Sequence, residues 1–111
     1  MQMSELDQAF GALADPIRRA ILMRLARGEA TVGELAEPFA ISLPAISRHL
    51  KVLEEAALIT NEREGKHRRC RLRVETLNEA RAWLDFERRF WSGSLDRLAA
   101  HVRRAPKEKN R

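Results

Sequence analysis

Apolar residues recur along this chain in two rhythms, and each change of rhythm marks a new element. Leu6, Ala9, Phe10 and Leu13 follow helical spacing behind Ser4, a residue suited to an N-cap. Asp15-Pro16 restarts the chain, because Asp caps helices well and Pro suits the first helical position. Ile17, Ile21 and Leu25 mark the inner face of this second helix, and Gly28 stands where a left-handed C-cap belongs. Thr31 and Glu34 have capping-box spacing and open a short third helix with Val32 and Leu35 inward, which Pro38 closes. Ser42 caps a fourth helix that tolerates Pro44 in its first turn and carries the stripe Ile46, Leu50, Leu53.

The rhythm then shortens to two. Residues 58–74 read as a hairpin turning at Gly65, with Cys70, Leu72 and Val74 alternating with arginines on the second strand. From Glu75 to His101 the helical period returns. Leu77, Leu84, Trp91 and Leu98 recur every seven residues, flanked by Ala80, Trp83, Phe90, Leu95 and Val102. The expected fold is mainly α with a small β-hairpin: one domain over residues 1–102, then a charged, apolar-poor tail, 103–111, read as disordered.

Residues 31–53 are the most informative stretch. Two short helices with a tight turn between them form a helix-turn-helix pattern, whose second helix enters the DNA major groove. With its stripe turned inward, that helix shows Ser42, Pro44, Ala45, Ser47, Arg48 and Lys51, with His49 at the edge. Small residues near its N-terminal end allow close approach to base edges. Arg48 suits a bidentate contact to guanine, whereas Ser42, Ser47, His49 and Lys51 suit phosphates. The hairpin adds Arg63, Lys66, His67, Arg68 and Arg69 around Gly65, against only Glu62 and Glu64, so its tip is net positive. Such a wing can follow a phosphate backbone or enter a minor groove. A formal net charge of +5 agrees with an anionic partner. Together these features read as a winged helix-turn-helix that binds double-stranded DNA.

Other classes fit less well. No apolar run approaches the ~20 residues that span a bilayer, the first residues lack secretory-signal character, and cytoplasm is the default compartment. The single cysteine, Cys70, forms no internal disulfide or metal pair and reads as a buried structural residue. Nucleophile–base pairs, glycine-rich phosphate loops and metal clusters are not evident, so neither an enzyme nor a cofactor is expected. A winged helix used only for protein interaction remains the alternative.

The segments Leu13-Ala-Asp-Pro-Ile-Arg-Arg-Ala-Ile-Leu22, Glu34-Leu-Ala36, Pro44-Ala-Ile-Ser-Arg-His-Leu-Lys-Val-Leu53 and Arg63-Glu-Gly-Lys66 resemble the ArsR family of bacterial winged-helix repressors. The resemblance covers about residues 5–100. It implies a homodimer that binds operator DNA and represses transcription, often of its own operon, until an inducer releases it. Ala57 departs from the family, which usually has Gly there. Metal-sensing relatives carry Cys-x-Cys on the third helix, where this chain has Thr31 and Gly33. A second family metal site lies on the last helix, where Asp85, Glu87 and His101 lack the second histidine and the spacing. No metal site is therefore expected. The Trp83, Phe90-Trp91 and Leu95-Asp96-Arg-Leu98 pattern resembles the branch often encoded beside SRPBCC-type (START-like) proteins.

The last helix also predicts assembly. Its stripe is too apolar to leave wet. A two-fold dimer through the first and last helices would bury Leu6, Phe10, Leu77, Trp83, Leu84, Phe90, Trp91, Leu95 and Leu98. It would hold two reading helices about one DNA turn apart. Gly93 within that helix permits either close helix contact or a kink.

Overall fold

The computed structural model describes residues 3–104, in the order α1 (Met3–Leu13), α2 (Pro16–Leu25), β1 (Ala30–Thr31), α3 (Val32–Ala36), α4 (Leu43–Glu55), β2 (Ile59–Glu64), β3 (His67–Leu72) and α5 (Val74–Arg104). Side-chain caps start three of the helices. Asp15 accepts from the backbone N–H groups of Ile17 at 2.8 Å and Arg18 at 3.2 Å, ahead of Pro16. Thr31 and Glu34 complete a capping box: the Glu34 N–H donates to Thr31 Oγ1 at 3.2 Å, and the Thr31 N–H donates to Glu34 Oε1 at 2.8 Å. Ser42 Oγ accepts from the Ala45 N–H at 3.3 Å.

These bonds tune the caps. Around Asp15 partial desolvation pushes the pKa up, but bonds from Arg18 and Ile17 prevail and hold it below the usual carboxylate range. At Glu34 the bonds from Thr31 lower it directly. A depressed carboxylate pKa stabilises the fold above the unfolded value, and that contribution is lost as pH falls through the folded value. Both caps are therefore intact at neutral pH and fail in acid.

The end of α1 is held by residues outside it. Arg18 Nε donates to the Ala12 carbonyl at 2.7 Å and Nη2 to that of Gly11 at 3.2 Å, while Arg19 Nη1 donates to that of Leu13 at 2.7 Å. The first turn of α2 thus satisfies carbonyls that a helix C-terminus leaves orphaned, and places positive charge at the negative end of the α1 dipole.

Ile21, Leu25, Leu35, Ile46, Leu50, Leu53, Leu58, Ile59 and Cys70 form one buried cluster, with Ile17, Val32, Leu72 and Leu77 packed around it. Residues 3–80 make one compact unit, and residues 81–104 of α5 make a second.

Several expectations need correction. Ser4 lies inside the first turn of α1, because the helix already includes Met3. α2 ends at Leu25 with Ala26 as its cap; Gly28, two residues further, takes φ 140°, a region closed to side chains. The hairpin is part of a three-stranded antiparallel sheet in the order β1-β3-β2, with Ala30 opposite Cys70 and Thr31 opposite Arg69. Two residues cannot display strand alternation, so β1 left no pattern to read. Val74 opens α5 instead of closing β3 and is 51% exposed. α5 continues through Gly93 to Arg104, so Arg103 and Arg104 are helical and not tail; residues 105–111 lie outside the described residues.

The α4–β2 connection carries one strained residue. Ala57 takes φ 59°, the left-handed region, unlike any other described non-glycine residue. The Leu58 N–H donates to the Leu53 carbonyl at 2.9 Å and Thr76 Oγ1 donates to the Ala57 carbonyl, so the turn is fastened on both sides. Ala57→Gly should stabilise the fold by about 1 kcal/mol, because glycine takes this conformation without steric cost. Denaturant unfolding at constant m-value checks this; an unchanged or lower midpoint would contradict it.

Candidate nucleic-acid interface

The core decides which face of α4 is available. Ile46, Leu50 and Leu53 are at most 1% exposed, which turns Ser42, Pro44, Ser47, Arg48 and Lys51 to solvent, with Ala45 half-buried. Ser42 is already engaged as the cap, though its hydroxyl hydrogen remains a donor. Among the described residues no acidic group pairs with Arg48 or Lys51, so both charges are on offer. Leu43, 57% exposed at the start of the helix, adds an apolar side chain that lies outside the buried stripe and carries no periodic signal. His49, at the edge of that face, is half-buried, with Nδ1 3.3 Å from Arg18 Nη1.

Register separates the wing cations into two sets. Asn61 faces Cys70 and Arg63 faces Arg68 on one side of the sheet; Glu62 faces Arg69 and Glu64 faces His67 on the other. On the second side Arg69 pairs with Glu64 at 3.0 Å and Glu29 at 3.6 Å. Arg71 pairs with Glu62 at 3.1 Å, Glu64 at 3.0 Å and also Glu29. Hydrogen bonding from Arg71 draws the Glu64 carboxyl below its usual range, against a small desolvation push upward. The bonds that Arg71 donates to Glu29 and Glu64 raise its own pKa in turn. Arg69 is therefore not a free DNA-facing cation, as the sequence had suggested. Its neutralisation comes from Glu64 on the neighbouring strand and from Glu29, which precedes the hairpin by two helices and gave no local signal.

The first set keeps its charge. Arg63 Nε donates to the Gly65 carbonyl at 3.3 Å and Arg68 Nε to the Asn61 amide oxygen at 3.2 Å. Both partners are neutral, so the guanidiniums are oriented without being compensated. Gly65 takes φ 62° in the two-residue turn with Lys66, and Lys66 and His67 are exposed at the tip. A cavity of about 360 Å³ opens between this tip and α4, lined by Leu43, Ser47, Asn61, Lys66, His67 and Arg68. Leu43 and Ser47 of α4 thus share one concave surface with the basic tip of the wing.

Cys70 lies on the inner side of the sheet, fully buried. Burial, with Glu54 adding to it and Arg68 opposing it, pushes the thiol pKa up to about 11, so it stays protonated at neutral pH. Thr31 and Gly33 stand at the start of α3, one a capping hydroxyl and the other without a side chain. Asp85 on α5 lies 3.9 Å from both Arg81 and Arg88.

In the second unit Leu84, Phe86, Phe90, Trp91, Leu95, Leu98 and Val102 are between 50% and 61% exposed. Phe90 and Trp91 meet edge to face with centroids 5.4 Å apart. Phe86 is an exposed aromatic that the seven-residue repeat did not reveal. Two expected interface residues are corrected: Leu6 is only 3% exposed in its own chain, and Leu77 packs on the first unit's core, so neither offers much surface. Phe10 and Trp83 are half-buried.

A helix whose free cations and small residues face outward, beside a basic hairpin, defines a winged helix-turn-helix DNA-binding protein. A family profile described as "Helix-turn-helix domain" matches residues 13–62. The chain is 46% identical to the HTH-type transcriptional regulator Rv2034 of Mycobacterium tuberculosis, over 80% of each chain. It is 38% identical to the transcriptional repressor SdpR of Bacillus subtilis, over 71% of this chain and 88% of that one. The crystal structure of an ArsR family transcriptional regulator, RHA00566, superposes with a TM-score of 0.78 at 40% identity, over 83% of this chain and 95% of that one. The chain belongs to the ArsR family of helix-turn-helix transcriptional regulators.

The division of the wing predicts unequal mutants. Arg68→Ala should weaken binding to all duplexes and reduce the salt slope of log K by about 1. Arg69→Ala should leave that slope nearly unchanged. Affinity measured across a salt series decides, and equal slope changes would refute the division.

Proposed function

We propose that the protein is a homodimeric repressor that binds operator DNA, acts on its own operon and is not released by metal ions. The carrying observation is that α4 buries its apolar stripe and, among the described residues, leaves Arg48 and Lys51 without an acidic partner, beside Arg63, Lys66 and Arg68. Arg48 reads guanine in the major groove, the wing holds phosphates, and neither task needs a cofactor. A protein-interaction module without DNA is the competing reading, and it leaves these uncompensated cations without a task. No described helix is long and apolar enough to cross a membrane, which accords with a regulator acting on cytoplasmic DNA. Selection of bound duplexes from a random pool tests the function. The expected product is a two-fold-related sequence present upstream of the protein's own gene, with preference relaxed at one or two positions by Arg48→Ala at a cost of about 1–3 kcal/mol. Recovery of no preferred sequence would leave the interaction-module reading.

The dimer rests on the wet apolar side chains of residues 81–104, far more than a soluble monomer leaves uncovered on one short segment. A second copy of the same helix meets that face with the same chemistry. Leu84→Glu with Trp91→Glu should convert dimer to monomer, since carboxylates would be buried without partners. Light scattering reads the mass, and circular dichroism confirms that the helices remain. A folded wild-type monomer at micromolar concentration would contradict the dimer.

Metal independence follows from donors. Thr31 and Gly33 offer no thiolate on α3, and Cys70 is a buried, protonated thiol. Zinc, cadmium and arsenite titrated into the protein–operator complex should leave it intact. Reversible release near one ion per subunit would contradict this.

A further inference from the structure

Arg18 occupies an unusual position: one side chain of α2 bonds both α1 and α4. Nε and Nη2 are spent on the carbonyls of Ala12 and Gly11, at 2.7 and 3.2 Å, which anchors the guanidinium plane on the end of α1. The remaining arm, Nη1, lies 3.3 Å from Nδ1 of His49 on the reading helix. A guanidinium has donors and no acceptor, so Nδ1 must accept. The proton of the neutral imidazole is then on Nε2, which lies on the far side of the ring from Arg18. Asp15 faces the same region, but its carboxylate is committed to the N–H groups of Ile17 and Arg18.

We infer that Arg18 is a positioning residue of the DNA interface, acting through His49. It fixes the imidazole as the Nε2–H tautomer and presents that N–H as a donor to a duplex phosphate at the edge of α4. Because Arg18 is itself seated on α1, the placement of the reading helix is tied to the end of the first helix by a directional bond as well as by apolar packing. The guanidinium never touches DNA; its contribution is the orientation of the ring. This inference rests on the DNA-binding reading above.

Two measurements test it. The first uses the protein without DNA: long-range ¹H–¹⁵N correlation of the His49 ring should show Nε2 protonated and Nδ1 bare, with the assignment checked by His49→Ala. An Nδ1–H tautomer would overturn the inference whatever the protein does with DNA, and needs no Arg18 variant that might unfold. The second is a double-mutant cycle of affinity for the selected duplex, read by fluorescence anisotropy under conditions where circular dichroism shows each variant folded. Arg18→Met and His49→Ala should each weaken binding about tenfold, and the double variant no more than either alone. An Arg18→Met protein that binds like wild type, or losses that multiply to about a hundredfold, would overturn it. Wild-type protein that binds no duplex would overturn the DNA-binding reading together with the phosphate role, and so separates that failure from a failure of the Arg18 link alone.

Discussion

Burial of Ile46, Leu50 and Leu53 is the constraint on which the rest of the interface depends. Each contributes about 1.5–3 kcal/mol relative to exposure, so the stripe fixes the rotation of α4 about its axis. Turning the helix by a third of a revolution would expose that stripe and push Arg48 or Lys51 into a core with no acceptor for either, a doubly unfavourable change. The reading face is therefore chosen by the core. The ends of the helix are fixed separately, by Ser42 before it and by the left-handed Ala57 after it. A surface made of exposed, individually weak groups acquires a definite geometry because the opposite face is rigid.

The wing solves a different problem. A two-stranded ribbon carrying this many arginines would repel itself, and pairing every cation would remove its affinity for phosphate. The sheet resolves this by side. Arg69 and Arg71 are neutralised by Glu29, Glu62 and Glu64 on one face, while Arg63 and Arg68 are steered by a carbonyl and an amide on the other. Exposed ion pairs of this kind add only about 0–1 kcal/mol each to stability. Their larger consequence is to concentrate uncompensated charge on the side that lines the groove with α4.

Much of this was legible from residue order alone, wherever the determining interaction is local. The caps at Asp15, Thr31 and Ser42, the stripe of α4 and the turn at Gly65 are set by groups within seven residues of one another, and the structure places each as expected. What the sequence concealed depends on long-range partners. Strand β1 exists only because β3 offers it an edge, and Glu29, distant in sequence, joins Glu64 in pairing with Arg69. The contact between Arg18 and His49 was hidden in the same way, because thirty-one residues separate them. The seven-residue repeat on α5 gave the apolar stripe but treated Leu77 as equivalent to Leu84, although one packs on the core and the other is half exposed.

The central claim is that the outward face of α4 reads bases in the major groove, twice per duplex. Methylation interference on the selected duplex tests it directly, because dimethyl sulfate marks guanine N7 in the major groove and adenine N3 in the minor groove. N7 methylation should block binding at guanines in two segments whose centres lie about one helical turn apart. Binding that persists when every guanine N7 in the duplex is methylated would contradict it.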